Sequence, residues 1–309
     1  MLNLQGIAFP SIIDNTVRST FRQCPGKYAL RHGLGYTPSA TNANLNAGGA
    51  LAKGLEVTRR LYFGGAASEA EAMTRGLEAL LTAFGEVNGD VPRNKTLDRM
   101  VAAFYSYWDE YGLDTDVLQP LSTPNGPAVE FSFTTPLLLP LGSAHMLQYS
   151  GKFDMLAYYR NQIVIVDEKT TGQLGGSWAD QWDIDGQITG YIWSLRQMGY
   201  AVAGAVIRGI GLYANDIRHV QHFTSRTEHE LSLWYQSVQE DVTRLQQATA
   251  IGSYSLTLDK AICASYGGCQ FRKHCTQPDP VSSLQTAGFV VHHWSPIDIT
   301  VDPNAQIVP

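Results

Sequence analysis

The chain has 309 residues, 44% hydrophobic and 16% charged, with a net charge of −6. That length buries a full core as one large domain or two smaller ones, and the composition excludes a mostly disordered chain. The negative balance excludes a basic protein that coats nucleic acid, so any such contact must come from a local cleft.

The first residues, MLNLQGIAFPSIIDNT, lack a basic stretch leading into an unbroken apolar one, so no signal peptide is expected. No run of about 18 apolar residues offers a membrane span, and the expectation is a soluble intracellular protein. A helix is predicted over about 16–21, broken by Pro25. GGALAKGLEVTRRLYFGG reads as a helix bounded by glycines. SEAEAMTRGLEALLTAFG is a second, with Ser68 as N-cap and Glu71 at the capping-box spacing. TLDRMVAAFYSYWDEYG is a third, with aromatics at helical spacing. After Pro120 the character changes: AVEFSFTTPLLL, HMLQYSGKFDMLAYY and NQIVIVDEKTT are strand candidates separated by short turns. SWADQWDIDGQITGYIWSLRQMG is predicted as one long helix, AVAGAVIRGIGLY as a strand and RTEHELSLWYQSVQEDVTRLQQA as a helix. A cysteine-rich stretch and a tail close the chain. The expected class is α/β, of the α+β kind: a small mixed sheet flanked by helices, with a helical lobe in front.

The strand NQIVIV drives into Asp167, Glu168 and Lys169. Side chains alternate along a strand, so Asp167 and Lys169 share a face while Glu168 points away or offers its backbone carbonyl. The preceding strand carries Asp154, and pairing the two strands brings both aspartates together. Facing carboxylates repel, and a divalent cation relieves that repulsion; an oxygen-rich site suits Mg²⁺ or Mn²⁺. A lysine beside it can steady a phosphate or polarise a water. Gln187 and Tyr191, four apart, share a helical face that a sheet could aim at the same place. The plain alternative is a strand end with solvated charges and an ordinary helix surface.

GKFD, then DEK with Asp167 thirteen residues after Asp154, then QITGY with Gln187 eighteen residues after Lys169, resembles the PD-(D/E)xK nuclease superfamily. The similarity is to its RecB-like branch. STFRQCPGKYAL resembles that branch's opening segment, GGALAKGLE its helix with a metal-binding histidine, and VEFSF the strand that supplies a glutamate, here Glu130. The likeness spans roughly 16–275. Ala52 stands where the histidine is usual, and His32, the nearest upstream, lies in another segment. The resemblance implies a restriction-endonuclease-like core and a metal-dependent DNA exonuclease of recombination or repair type, in the cytoplasm of a bacterium or a phage-infected cell. Asp154, Asp167, the carbonyl of Glu168 and Glu130 would hold the metal, Lys169 would position water and phosphate, and Gln187 and Tyr191 would contact DNA. A recombination partner protein is a further expectation. The alternative is a DNA-binding or assembly subunit whose nuclease centre is weakened by Ala52.

Cys263, Cys269 and Cys275 are spaced C-x5-C-x5-C, with Cys24 the only other cysteine. In a reducing compartment such a set favours metal ligation over disulfides, and four thiolates suit a 4Fe–4S cluster. Tight C-x2-C pairs, the zinc-ribbon habit, are absent, so zinc is the fallback. The resemblance implies the same cluster, stapling the two ends of the chain. Arg18, Arg22, Lys27 and Arg31 with Arg272, Lys273 and His274 would then converge as a DNA-backbone track, the alternative being scattered solubilising charge. Trp193 reads as core and Trp178 as core or stacking platform. His292 and His293, adjacent on a strand, face opposite ways and make a poor metal pair. The expected organisation is an N-terminal segment with helical lobe over 1–120, a nuclease core over 121–255 and a cysteine region with tail over 256–309.

Overall fold

The computed structural model describes residues 1–39, 43–85, 92–138, 147–264 and 268–295, with the side chains of 43–46 not described. The tail from 296 onward, and 265–267 between the cysteines, lie outside the described residues. In chain order, β1 (Ile12–Ile13) leads into α1 (Asn15–Gln23) and β2 (Tyr36–Pro38). Three helices follow: α2 (Ala43–Phe63), α3 (Glu69–Gly85) and α4 (Leu97–Tyr111). Then come β3 (Val129–Leu137), β4 (Leu147–Tyr159), β5 (Gln162–Thr171), α5 (Gly186–Gln197), β6 (Val202–Leu212) and β7 (Ile217–Thr224). The chain goes on through α6 (Glu228–Ile251), α7 (Pro280–Thr286) and β8 (Phe289–Val291).

Two compact units interleave along this sequence. One comprises the described residues of Met1–Ser39, Thr134–Gly151 and His229–Asp298; the other is built from Ala40–Phe133 and Lys152–Glu228.

The second unit is α/β with a mixed sheet, the restriction-endonuclease-like arrangement of the sequence reading. Strand order runs β7, β6, β5, β4, with β3 also on β4. β5 and β6 are parallel, joined through α5, whereas β4–β5 and β6–β7 are antiparallel. Parallel neighbours need such a crossover, which is why a helix follows the DEK strand. Met155, Ala157, Val164, Val166 and Val206 pack with Leu118 and Val129 on the sheet. Leu51, Leu55, Leu80, Met100, Phe104 and Tyr107 form the core of α2, α3 and α4 together with Ile210 and Leu212 of β6. The helices start where their caps dictate: Ser68 Oγ accepts from Glu71 N at 3.4 Å and Thr96 Oγ1 from Arg99 N at 3.4 Å. The expected long helix over the QITGY region is instead a short turn, Ser177–Asp180, a 3₁₀ stretch and then α5. Asp185, in extended geometry, breaks it by capping Ile188 N at 2.9 Å. β7 was not anticipated. Pro25 does interrupt α1, at an extended Cys24, but helical structure resumes at once with proline in its first turn.

In the first unit Asp14 caps α1, accepting from Val17 N at 2.7 Å, while its other oxygen takes the Trp294 indole at 3.0 Å. Arg18 ties α1 to α6 through Asp241 at 2.7 Å and Ser237 at 2.9 Å, beneath the Trp234 ring. It is 5% exposed, so one arginine of the expected DNA track is core structure. Phe21, Tyr28, Tyr149 and Tyr254 are buried in the same unit, β1 runs parallel to the first residues of β4, and β8 is antiparallel to β2.

Candidate active site

The antiparallel register of β4 and β5, with Met155 opposite Val166, puts Asp154 beside the DEK segment. Asp154 Oδ2 accepts the backbone N–H of Glu168 at 2.5 Å. Lys169 Nζ lies 2.5 Å from Asp167 Oδ2, on the face that strand alternation assigns to both. Asp167 is 2% exposed, so it is not a solvated charge at a strand end. Burial first, and Asp167 and Glu168 next, push the Asp154 carboxyl well above its ordinary range. Burial likewise raises Asp167, against the pull of Lys169. For Lys169 burial works downward, but Asp167 and Asp154 outweigh it and hold the ammonium above its usual value. Two crowded carboxylates thus face one firmly charged lysine.

From Lys169 a chain of bonds runs into α5. Lys169 Nζ donates to Gln187 Oε1 at 3.4 Å, Gln187 Nε2 donates to the Tyr191 hydroxyl at 2.8 Å, and that hydroxyl donates to the Lys152 carbonyl at 2.6 Å. The i,i+4 spacing of the glutamine and tyrosine produces this alignment. Gln187 therefore meets the lysine directly. Tyr191 is 3% exposed, behind Gln187 and under Phe133 and Phe153, where the sequence suggested a DNA contact. Gly209 lies opposite Lys169 on β6, and a Cβ there would stand 2.5 Å from the Trp178 ring, so glycine admits the tryptophan. Trp178, Trp182 and Trp193 are all buried.

Glu168 points to the opposite face, where Arg59 and the Tyr107 hydroxyl take its carboxylate. Burial would raise it, yet Arg59, with Arg208 and the Tyr107 hydroxyl, outweighs burial and Glu168 sits below its ordinary range. Glu130 is paired with Lys152 at 2.5 Å and has a left-handed backbone, φ 49°. Burial raises its carboxyl, with Lys152 opposing and Glu56 and Glu168 adding to the rise. Ala52 brings no donor; Arg59, seven residues on along the same helical face, is the α2 side chain that reaches β5.

Among the described residues no group of three or more His, Cys, Asp or Glu is arranged to hold a metal ion. Mg²⁺ needs no such cage, since one or two carboxylates plus waters and substrate phosphates suffice. Asp154, half-buried, and Asp167, buried, repel each other and fit that requirement.

The family model of the PD-(D/E)XK nuclease superfamily matches residues 16–276. The chain belongs to this superfamily. The match runs through the two aspartates, Lys169 and the Gln187 helix, and takes in all four cysteines, the last at Cys275. Among solved structures, the nuclease chain is similar to a "Putative exonuclease" from Eubacterium rectale, at 15% identity and a TM-score of 0.42, covering 82% of this chain and 87% of that one. It is also similar to the protein SSO0001, at 12% identity and a TM-score of 0.30, covering 67% and 76%. No curated protein matches.

All four cysteines of this superfamily member are free and lie in the first unit. Cys24 occupies the break after α1, and Thr257 Oγ1 donates to the neighbouring Gln23 carbonyl at 2.5 Å. Cys269 N donates to Cys263 O at 2.9 Å and Cys275 N to Phe271 O at 2.8 Å. Burial pushes the Cys275 thiol up, and Cys269, Cys24 and Cys263 push it further, so it feels all three. His274 is bonded to Ser283 at 2.8 Å, and the His292 carbonyl accepts from Arg31 at 3.1 Å. No helix among the described residues is long and apolar enough to cross a membrane.

Proposed function

We propose that the chain is a divalent-metal-dependent deoxyribonuclease, an exonuclease of the recombination or repair type, working on DNA in the cytoplasm of a bacterium or phage-infected cell. One observation carries the reading: a half-buried Asp154 and a buried Asp167 stand on adjacent strands with Lys169 Nζ 2.5 Å from Asp167. Asp154, Asp167 and the Glu168 carbonyl would hold Mg²⁺ or Mn²⁺, and Glu130 would join them on leaving Lys152. A bound metal supplies Lewis acidity and lowers the pKa of water for attack on phosphorus. Lys169 stays charged and stabilises the negative charge that builds on the phosphate. Gln187 holds the ammonium by its Oε1, and Tyr191 fixes Gln187 by tying it to the Lys152 carbonyl. Buried surroundings keep these dipoles preorganised.

Cys24, Cys263, Cys269 and Cys275 would hold a 4Fe–4S cluster of structural role, with zinc as the alternative metal. Support comes from their common unit and from the influence of the other three thiols on Cys275. Ala52 favours a second reading, a DNA-binding or assembly subunit with a weakened centre that works with a recombination partner.

The test is anaerobic purification, then digestion of end-labelled single- and double-stranded DNA in Mg²⁺ or Mn²⁺, with Asp154→Ala beside the wild type. Cleavage that the variant lacks supports the nuclease. DNA binding without cleavage in either metal favours the subunit.

A further inference from the structure

The face of β5 that turns away from the two aspartates carries a buried polar network. Arg59 Nη1 donates to Glu168 Oε2 at 3.0 Å, and its Nη2 reaches both Glu168 Oε1 and the Tyr107 hydroxyl. Tyr107 donates to Glu168 and accepts from Arg208 Nη1 at 2.6 Å. Arg208 stands opposite Glu168 in the parallel β5–β6 register and grips Asp116 with both nitrogens, at 2.7 and 2.6 Å. Arg59 is 3% exposed, and Arg208 and Tyr107 are 0% exposed. Two guanidiniums balance two carboxylates, so the network is neutral in sum and each charge has its partner.

None of these side chains reaches the face that Asp167 and Lys169 occupy. Glu168 nonetheless joins the two faces, because its own N–H holds Asp154 Oδ2 at 2.5 Å. Moving the Glu168 side chain moves that N–H and the neighbouring carbonyl. We infer that Arg59 and Tyr107 are positioning residues for the metal centre: by clamping the Glu168 side chain they fix the backbone group that aims the Asp154 carboxylate. Helix α2, which offers no ligand at Ala52, thereby acts on the centre through Arg59. The inference rests on the metal reading of Asp154 and Asp167. Partners that orient ligands in this way change metal affinity by about 10–100-fold when removed.

The experiment is Mn²⁺ binding to the full chain without DNA, followed by calorimetry and by the paramagnetic signal of free Mn²⁺. Tyr107→Phe removes one hydroxyl from the clamp. Tyr111→Phe, on the same helix, removes a buried hydroxyl with no hydrogen-bond partner among the described residues and serves as its control. Tyr107→Phe and Arg59→Lys are expected to weaken Mn²⁺ at least about tenfold, with Tyr111→Phe at the wild-type value and near-ultraviolet dichroism retained. Should Arg59→Lys fail to fold, Tyr107→Phe decides alone. Wild-type affinity in Tyr107→Phe, together with loss in Asp154→Ala, overturns the inference and leaves the metal centre standing. Mn²⁺ binding that Asp154→Ala does not diminish overturns the centre itself, and the inference with it.

Discussion

Tyr191 shows how a single hydroxyl organises the site: it accepts from Gln187 at 2.8 Å and donates to the Lys152 carbonyl at 2.6 Å. Tyr191→Phe removes both of these hydrogen bonds, and chemical denaturation should register a loss of about 1–3 kcal/mol. Single-turnover cleavage should fall on the order of tenfold, because Gln187 no longer holds Lys169 in place. His32 gives a prediction of a different kind. Burial, helped by Arg31 and Lys27, lowers its pKa from 6.5 to about 4. The folded state thus keeps the ring neutral while the unfolded chain takes up a proton near 6.5, so stability is complete above that pH. It is lost as pH falls from about 6.5 to about 4, by roughly 2–3 kcal/mol in all. Melting scans across this window should show that slope in the wild type and a shallower one in His32→Gln. An equal slope in both would assign the acid loss elsewhere.

At the scale of elements, α5 depends on its first turn and β6 on its glycines. Asp185→Ala removes the cap on Ile188 N and should cost about 1 kcal/mol in urea unfolding. Gly209→Ala places a methyl 2.5 Å from Trp178 and should cost about 1–3 kcal/mol, with a shift in tryptophan emission. Unchanged stability in Gly209→Ala would mean that the ring has room to retreat. Most elements were legible in the residues. Thr96 and Ser68 announce their helices, Gly112 at φ 71° ends α4, and an unbroken apolar run closed by charges marks β5. The break at Asp185 was harder to see, since a strong helical pattern flanks it and only the Asp-Gly pair signals an N-cap. β7 was missed because IRHVQHFT carries no sustained period-two pattern: the in-and-out alternation of Ile217 to Val220 breaks at an exposed Gln221. Its exposed, polar residues resemble a loop, because the strand lies at an edge of its sheet.

For the whole molecule, the juxtaposition of Asp154, Asp167 and Lys169 was far more legible than its long-range support. Strand pairing and alternation suggest that juxtaposition, and the family resemblance supplies its proposed role. Nothing of the kind signals Arg59, Tyr107, Arg208 and Asp116, because partners 109 and 61 residues from Glu168 in the case of Arg59 and Tyr107 leave no periodic trace. Buried arginines such as Arg18 and Arg208 also resemble surface charge in a sequence, since only the tertiary partner distinguishes them. The proposed cluster belongs to this scale. Cys269→Ser should lower iron per chain and the melting temperature together, and equal iron content in that variant would remove the cysteine from the ligand set. The central claim is that a charged Lys169 beside two carboxylates cleaves a phosphodiester bond, and single-turnover cleavage of end-labelled DNA by Lys169→Ala tests it most directly. A fall of about a hundredfold or more, with Mn²⁺ binding and melting temperature retained, is the expected result. Cleavage within a few-fold of wild type would contradict it.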